Sequence, residues 1–280
     1  MDRKIEVGQE LKSEVLLAAR VSVGYGDKPD VLCDVEVEIR RGEVLGLIGQ
    51  SGSGKSTLAM AILGLLDRKR TRISGTIEFE GFDLLPLRER DLRSLRGRKI
   101  ALVLQSPLSS LNPALKIRTQ LREAWGAHAT ASKMECDNAI RSALESVTLP
   151  STDEFLKKHP AQMSVGQAQR VLIAMAILHR PALLIADEAT SALDVITQSE
   201  ILSLFRELNR TTGMSILYIS HDLASVAGIC DRIAILHQAQ IVEQGATAEV
   251  MSHPQHEYTQ RLMSALPRLP QAAAAKAAAN

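Results

Sequence analysis

The chain has 280 residues, and its 33 lysines and arginines nearly balance its 32 aspartates and glutamates, for a formal net charge of +1. This length suffices for one large or two small domains, and the balanced charge gives no electrostatic reason to expect nucleic acid or an anionic membrane surface as a partner. The apolar stretches are far shorter than the roughly 20 residues that span a bilayer, and the charged segment over residues 1–14 predicts no signal peptide, so we expect a soluble, cytoplasmic protein that reaches a membrane only through a partner.

The first part of the chain predicts strands that lead into a glycine-rich loop. Residues 15–17 and 35–39 are apolar or alternate, and residues 43–48 have the pattern of a buried strand. After the loop, a helix is indicated by apolar residues at helical spacing, namely Leu58, Ala61, Ile62 and Leu65. A hairpin over residues 74–82 and another buried strand over 99–104 follow.

The pattern then changes to helices, which we expect from residue 106 to about 180. Strongly apolar strands return at residues 182–186 and 214–219, with a helix between them. The order strand–helix–strand with short loops predicts a mostly parallel sheet, into which the helical block is inserted. A hairpin over residues 232–244 follows, and residues 271–280 form an alanine-rich tail that is expected to be disordered or a frayed helix.

The loop after the strand over residues 43–48 has the sequence of a phosphate-binding loop. Its residues 49–57 (GQSGSGKST) fit the Walker A pattern. Glycines let backbone N–H groups turn inward around phosphates, and the following helix adds the positive potential of its N-terminus. Lys55 would reach the β- and γ-phosphates, and the Ser56 hydroxyl would bind Mg²⁺. The residues predicted to hold the nucleotide are Gly49, Ser51, Gly52, Ser53, Gly54, Lys55, Ser56 and Thr57.

A second motif is the pair of carboxylates at the end of the strand over residues 182–186. Asp187 and Glu188 directly follow this apolar run. The carboxyl end of a parallel strand lies at the ligand crevice of an open α/β sheet. We therefore expect Asp187 to hold Mg²⁺, directly or through water, and Glu188 to polarise an attacking water.

These two motifs stand with others in an order that resembles the ATP-binding cassette family, over roughly residues 15–245. Gln105 resembles the Q-loop glutamine, which in the family contacts Mg²⁺ and the attacking water. Residues 163–167 (MSVGQ) resemble the signature motif at the start of a helix. Residues 191–194 (SALD) resemble the D-loop, and His221 resembles the switch histidine that contacts the γ-phosphate.

The resemblance implies an α/β fold. It would comprise a P-loop NTPase core with a parallel sheet, an N-terminal antiparallel β-subdomain and an inserted α-helical subdomain. Residues 1–105 and 181–245 would form the nucleotide-binding core with its β-subdomain, and residues 106–180 the helical signature subdomain. Residues 246–280 would form a C-terminal extension and tail.

The resemblance also implies ATP and Mg²⁺ as cofactors and a site shared between two cassettes. Catalysis would depend on Lys55, Gln105, Glu188 and His221, and the metal ligands would be Ser56, Gln105 and Asp187. Tyr25 would stack on adenine. Asp194 is a further predicted nucleotide-binding residue. In a head-to-tail dimer the opposite cassette would contribute its signature residues Ser164, Gly166 and Gln167, so two ATP molecules would be held between the cassettes, and hydrolysis would let them separate.

Two further segments resemble the ATPases of oligopeptide, dipeptide and nickel importers. Residues 105–113 are similar to the extended Q-loop of that group, and residues 253–259 through 266–267 to its C-terminal extension. This implies docking on two membrane permease subunits at the cytoplasmic face of the inner membrane. An external solute-binding protein would deliver the solute, and no nucleic acid is implied. The transported solute and the identity of the second cassette, an identical chain or a paralogue, stay open.

The chain departs from the family pattern at several positions. Val165 replaces the first signature glycine, which would weaken the site if that position needs a positive φ. Ala189 stands where the family usually has proline, which is expected to loosen the turn. Gln238 and Ala239 replace a glycine expected in the final hairpin. The cysteine cluster that some relatives carry is absent, so no iron–sulfur centre is predicted.

The three cysteines, Cys33, Cys136 and Cys230, lack paired or metal-ligand spacing. We expect them to be small, buried or half-buried hydrophobic side chains in a reducing compartment. His253 and His256 lie close together, but such a pair alone is weak evidence for a metal site.

Three other functions compete with the importer subunit. One is a cassette attached to a soluble enzyme complex such as carbon–phosphorus lyase, and another is a degenerate partner in an asymmetric pair. Glu188 and His221 argue against an inactive cassette. A DNA-repair cassette would need a long coiled coil or zinc insertion between Gln105 and Ser164, and the chain has no room for one there.

Overall fold

The structure is a computed structural model that describes residues 14–27, 29–129 and 132–264. The charged opening segment up to residue 13, the pair 266–267 and the alanine-rich tail over 271–280 lie outside the described residues. No described helix is both long and apolar enough to cross a bilayer.

In the described residues ten strands form two sheets. The strands are β1 (Val15–Tyr25), β2 (Leu32–Arg40), β3 (Val44–Ile48), β4 (Thr71–Phe79), β5 (Phe82–Asp83), β6 (Ile100–Val103), β7 (Leu183–Asp187), β8 (Ser215–Ser220), β9 (Arg232–His237) and β10 (Gln240–Ala246). The smaller sheet has the order β2-β1-β4-β5 and is antiparallel throughout. The larger sheet has the order β10-β9-β3-β8-β7-β6 and is parallel except for the hairpin of β9 and β10.

The described residues also contain eleven α-helices. They are α1 (Lys55–Ile62), α2 (Glu89–Leu95), α3 (Pro107–Ser110), α4 (Ile117–Gly126), α5 (Lys133–Ser146), α6 (Asp153–Leu156), α7 (Val165–Ile177), α8 (Val195–Thr212), α9 (Leu223–Ile229), α10 (Thr247–Ser252) and α11 (Glu257–Ser264), with a 3₁₀ turn over Pro160–Gln162. Along the chain, the five helices α3 to α7 follow β6 and precede β7, where the sequence predicts an inserted helical block. The predicted α/β fold, with a parallel core sheet, an antiparallel sheet and inserted helices, is thus confirmed.

The central strands β3, β7 and β8 of the larger sheet are buried throughout, as their continuous apolar sequences predict. On β3, Leu45 and Leu47 point into the core formed with the antiparallel sheet and α1. Val44 and Ile48, on the opposite face of the same strand, join the core formed with the inserted helices and α8. Because side chains alternate along β3, this one strand contributes to both cores. Its carboxyl end leads into the phosphate-binding loop.

Two sequence predictions on element ends are wrong. The helix after the loop ends at Ile62, and Leu65 lies exposed beyond it, because Gly64 adopts a φ of 61° that a helix does not continue through. The strand expected over residues 99–104 ends at Val103, and Leu104 is exposed at the mouth of the cleft described below.

The predicted final hairpin is present as β9 and β10, and its turn is unusual. Gln238 and Ala239 both have positive φ, 46° and 68°. Two successive left-handed residues form the turn that suits a two-residue hairpin, which glycine or asparagine normally supplies. The Ala239 carbonyl accepts a hydrogen bond of 2.7 Å from Cys33 N, which ties the turn to β2. The side chain of Cys33 is exposed, so the expected burial of the cysteines is wrong for this one, while Cys136 is half-buried and Cys230 buried.

Candidate nucleotide site

The phosphate-binding loop, residues 49–57, leaves the carboxyl end of β3, a central strand between β9 and β8. Gly54 is the N-cap of α1 with a φ of 107°, and a Cβ there would lie 2.6 Å from Leu32 Cδ2. A Cβ on Gly49 would lie 2.4 Å from the Leu236 carbonyl oxygen. Glycine is therefore required at both ends of the loop, by close packing at Gly49 and also by conformation at Gly54.

Lys55 is the cation of the loop. Its side chain is only 5% exposed, and Nζ donates to the carbonyl oxygens of Gly49 at 2.8 Å and Gln50 at 2.9 Å. Nζ also lies 3.9 Å from Glu188 Oε1. Burial lowers the pKa of Lys55, while the Glu188 and Asp187 carboxylates act in the opposite direction. The loop thus holds a buried ammonium group whose partners are mostly neutral carbonyls.

Asp187 ends β7 and is only 7% exposed. Burial raises the pKa of Asp187, while the nearby Ser56 hydroxyl acts in the opposite direction. Its Oδ1 is buried without a hydrogen-bond partner among the described residues. A buried carboxylate oxygen without a partner, beside a serine hydroxyl, fits a hard divalent cation such as Mg²⁺.

The described residues contain no group of three or more His, Cys, Asp or Glu side chains arranged to hold a metal. A cation at Ser56 and Asp187 would therefore complete its coordination with water and phosphate oxygens. This is the usual arrangement for Mg²⁺ in nucleotide sites, where the ion keeps several waters and few protein ligands.

Glu188 follows β7 in a strained conformation. Its φ is 49°, in the left-handed region, while its N–H still donates to the Ile219 carbonyl at 2.9 Å. Its Oε1 lies 3.4 Å from His221 Nδ1 as well as 3.9 Å from Lys55 Nζ. Non-glycine residues in this region cost on the order of 1–3 kcal/mol and cluster at functional sites. The strain directs the carboxylate to the point between Lys55 and His221.

The turn behind Glu188 is held by hydrogen bonds. Ser191 N and Ser191 Oγ both donate to the Glu188 carbonyl, at 3.1 and 3.0 Å. The Thr190 hydroxyl lies 2.9 Å from the buried Tyr218 hydroxyl, which in turn donates to Ser225 Oγ at 3.2 Å. These bonds anchor a turn in which Ala189 takes the place of the family's usual proline.

The phosphate-binding loop and the end of β7 line one cleft of about 640 Å³. Predicted site residues along it are Ser51, Gly52, Gly54, Lys55, Ser56, Thr57, Gln105, Asp187 and Glu188. The volume is that of a pocket for a small organic ligand. Ser109 and Ser110 also line it but were missed as site residues, although their segment directly follows Gln105 along the chain.

The signature segment lies at the start of α7, as expected. Ser164 is the N-cap and forms a capping box with Gln167, in which Ser164 Oγ accepts from Gln167 N and Gln167 Oε1 accepts from Ser164 N, both at 3.2 Å. Val165 is the first helical residue and is not among the described residues with positive φ, so its β-branched side chain fits the backbone. A Cβ on Gly166 would lie 2.7 Å from Thr197 Cγ2, so glycine lets α7 approach the start of α8.

Asp194 is the N-cap of α8. Its carboxylate accepts hydrogen bonds from Ile196 N at 3.1 Å, Thr197 N at 3.0 Å and the Thr197 hydroxyl at 2.7 Å. These bonds, led by the one from Thr197 N, lower the pKa of Asp194. The structure thus gives Asp194 a local capping role.

Of the predicted residues that do not line the cleft, Gly49 and Ser53 belong to the phosphate-binding loop, His221 lies beside Glu188, and five others lie on other elements. Tyr25 ends β1 and is 37% exposed, opposite Thr71 of β4. Ser164, Gly166, Gln167 and Asp194 lie at the starts of α7 and α8 and are not among the residues that line the cleft. The chain therefore brings Lys55, Ser56, Gln105, Asp187 and Glu188 together, with His221 beside Glu188, and keeps the signature segment apart.

Solved structures similar to this one include two ATP-binding cassettes. CbiO1 from Clostridium perfringens, part of the transporter complex CbiONQ, superposes with a TM-score of 0.75 at 27% identity, over 91% of this chain and 97% of that chain. The cassette MJ0796, in a dimeric post-hydrolysis state bound to ADP and Pi, gives 0.71 at 26% identity, over 83% and 98% of the two chains.

Curated relatives are more similar in sequence. The chain is 42% identical over 236 residues to the oligopeptide transport ATP-binding protein OppD of Salmonella typhimurium, which covers 84% of this chain and 70% of that protein. It is 41% identical over 250 residues to the dipeptide transport ATP-binding protein DppD of Haemophilus influenzae, over 88% and 76%. The family model described as ABC transporter matches residues 32–191. Together with the fold and the cleft, these matches show that the chain belongs to the ABC transporter family as an ATP-binding cassette.

Proposed function

We propose that the chain is the ATP-hydrolysing subunit of an importer that takes up peptides or a related small solute. The observation that carries the proposal is the convergence of Lys55, Asp187, Glu188 and His221 at one phosphate-binding loop. Phosphoryl transfer depends on positioning and on electrostatic stabilisation, and these side chains provide both.

Each of these groups has a role that its surroundings support. Lys55 balances charge on the β- and γ-phosphates of ATP. Ser56 and Asp187, with Gln105 across the cleft, hold Mg²⁺, which when bound neutralises charge on the phosphates. Glu188 accepts a hydrogen bond from the attacking water and polarises it. His221, 3.4 Å from Glu188, contacts the γ-phosphate.

The second half of the site comes from another cassette. Ser164 at the N-terminus of α7 is suited to bind an anion, since backbone N–H groups and the helix dipole point outward there. It is not among the residues that line the cleft of its own chain, so we infer that it binds the γ-phosphate held by an opposite cassette. Val195, 82% exposed, and the exposed Ile196 follow Asp194 and offer apolar surface for that contact. The dimeric cassette MJ0796 supports this arrangement.

The transport role is supported by the names of the relatives, which are oligopeptide and dipeptide transport proteins. They favour the importer over a cassette attached to carbon–phosphorus lyase. Leu104 and Leu108 are exposed on either side of Gln105 and its cleft, and they offer apolar contacts to a permease. Two permeases would hold the cassettes at the cytoplasmic face of the membrane, with an external binding protein supplying solute.

The division of the chain follows the same proposal. Residues 1–105 and 181–245 would act as the nucleotide-binding core, residues 106–180 as the helical unit that carries the signature, and residues 246–280 as an extension. Tyr25 would stack on adenine from the end of β1.

Affinity purification of a Glu188→Gln chain with MgATP from detergent-solubilised membranes of its source tests the transport role. Two hydrophobic permeases, with or without a second cassette, are the expected partners by mass. Soluble enzyme subunits as the only partners would contradict the importer and leave the ATPase in place.

A further inference from the structure

The nearly even total charge of the chain hides an uneven distribution. Ten lysines and arginines, with only three carboxylates, lie in two short segments, residues 67–72 (DRKRTR) and 88–99 (RERDLRSLRGRK). Their net charge is +7, whereas that of the whole chain is +1, so the rest of the chain is net negative. A charge concentrated in this way can attract an anionic partner even when the total charge is close to zero.

The fold brings the two segments together. The first segment follows α1, and the second contains α2. Arg68, in the first segment, donates from Nη2 to the carbonyl of Leu87, directly before the second segment, at 2.8 Å. Arg96, at the end of α2, donates from Nε to the carbonyl of Leu63, at the end of α1, at 2.7 Å. The two segments therefore lie side by side, and we call them together the basic surface.

The helix α2 exposes its arginines because one leucine attaches it to the core. Leu92 is the buried residue of α2 and packs in the core beneath the antiparallel sheet. Arg90 and Arg93 lie about one helical turn apart, and both are exposed. The helix is thus held by its apolar residue while these cations face solvent.

Much of the positive charge has no carboxylate of the chain beside it. Four of the ten cations form ion pairs with nearby acids. Within the described part of the chain, no ion pair is formed by five exposed cations, which are Lys69, Arg88, Arg90, Arg93 and Arg98. The basic surface is therefore complementary in charge to an extended array of anions.

Exposed apolar side chains flank the basic surface along the chain. Leu65, just before the first segment, is 47% exposed, and Phe82, on β5 before the second segment, is 73% exposed. Cations beside exposed apolar groups are typical of protein surfaces that rest on a membrane, where the cations meet lipid phosphates and the apolar groups enter the headgroup layer. A nucleic acid offers phosphates but no apolar layer, so this composition favours a membrane.

The basic surface is also close to the segment that we propose to contact a permease. Lys99, its last residue, directly precedes β6, and Leu104 directly follows that strand. At about 3.3 Å per residue, the two positions are roughly 17 Å apart at most. A permease bound at Leu104 would therefore hold the basic surface near the headgroups of the surrounding bilayer.

We propose that the basic surface binds the anionic phospholipid headgroups of the membrane that holds the transporter. Its lysines and arginines contact the lipid phosphates, and Leu65 and Phe82 reach into the headgroup layer. The proposal rests on the proposed transport role, which brings the chain to a membrane. It adds a contact that needs neither a nucleotide nor a permease.

The test is co-sedimentation of the whole chain, without nucleotide, with vesicles of pure phosphatidylglycerol or of pure phosphatidylcholine. The variant of the basic surface replaces three exposed arginines, by Arg88→Gln, Arg90→Gln and Arg93→Gln. The control variant replaces three exposed cations of α5 and α8, by Lys133→Gln, Arg141→Gln and Arg206→Gln. Both variants have the same net charge, so they differ only in where charge is lost.

The parent chain is expected to bind the phosphatidylglycerol vesicles at low ionic strength, to be released by salt, and to leave phosphatidylcholine vesicles unbound. The variant of the basic surface should bind at least about tenfold more weakly, since each cation near an anionic membrane adds to the affinity. The control variant should bind like the parent chain. Both variants should keep the Tm of the parent chain, because the six side chains are exposed.

Two results of the vesicle experiment would overturn the proposal. One is a parent chain that does not bind phosphatidylglycerol vesicles. The other is an equal loss of binding in both variants, which would assign the binding to total charge. If the parent chain binds no vesicles but co-purifies with two permeases, the transport role stands and the lipid contact alone is wrong. If the variant of the basic surface then loses the permeases, the surface binds the permease instead.

Discussion

The two regions of this cassette that we propose to bind anions, the phosphate-binding loop and the start of α7, differ in how far their polar groups are satisfied. Around the loop, Ser53 Oγ and Asp187 Oδ1 are buried without hydrogen-bond partners in the part of the chain that the structure describes, and Glu188 has a left-handed φ. At the start of α7, Ser164 and Gln167 satisfy each other in a capping box. Since buried polar groups normally find partners, the loop has the character of a site that requires a ligand. The start of α7 is satisfied without a ligand, in keeping with the proposal that its ligand is held by another cassette.

Of the substitutions near the phosphate-binding loop, Glu188→Gln is expected to have the largest effect on ATP turnover. The amide keeps the shape of the side chain but polarises water poorly, so ATP turnover is expected to fall by about 10²–10³-fold. Binding of MgATP should be retained, since Lys55, Ser56 and Asp187 are unchanged. Turnover and nucleotide binding measured on the same preparation check this. Undiminished turnover would remove Glu188 from the role assigned to it.

Ser164→Ala tests the other region, with Ser132→Ala as a matched control. Both serines are N-caps in capping boxes, on α7 and α5, so both variants are expected to lose about 1 kcal/mol of stability. Only Ser164→Ala should also lower ATP turnover, by about tenfold or more, because only this serine is proposed to face a phosphate in the dimer. Thermal melts and ATPase rates check the pair. Equal rates in the two variants would reduce Ser164 to a helix cap.

Asp187→Asn is expected to raise stability while it removes Mg²⁺-dependent ATP binding. The pKa of Asp187 lies above its ordinary value of 3.8 because the carboxylate is buried. The folded chain therefore keeps this proton at pH values where the unfolded chain has lost it, and the free energy of unfolding falls as pH rises through that window. Without nucleotide and at neutral pH, the asparagine variant should melt a few degrees higher.

Asp222→Asn is the control for the higher melting temperature expected of Asp187→Asn. Asp222 caps α9 by accepting from Ala224 N at 3.0 Å, and asparagine caps a helix equally well. No rise in Tm is expected from it. If the two variants melt at the same temperature as the parent chain, the buried Asp187 carboxylate is not a source of instability.

The smallest expected effect is a change in stability at the turn between β9 and β10, which lies outside both regions. Ala239→Gly places glycine at a φ of 68° and is expected to stabilise the chain by about 0.5–1 kcal/mol. Ala139→Gly, in the middle of α5, should destabilise it by a similar amount, since glycine is unfavourable inside a helix. Denaturant unfolding of the two variants measures both signs, and a loss of stability in Ala239→Gly would mean that the turn is not strained.

The sequence predicted local features well because their causes are local. The loop over residues 49–57, the acidic end of β7 and the capped start of α7 all depend on residues within a few positions of each other. The positive φ of Glu188 could not be predicted, since it is imposed by hydrogen bonding to β8. The close approach of Gly166 to Thr197 joins distant segments, and only the folded chain shows it.

The central claim is that hydrolysis requires two cassettes, each completing the other's site. The most direct test is the molar mass, by light scattering, of the Glu188→Gln chain together with any second cassette that co-purifies with it. We predict separate cassettes without nucleotide and a two-cassette complex with MgATP, and no such complex when Ser164→Ala is added. Cassettes that bind MgATP and remain separate would contradict the account.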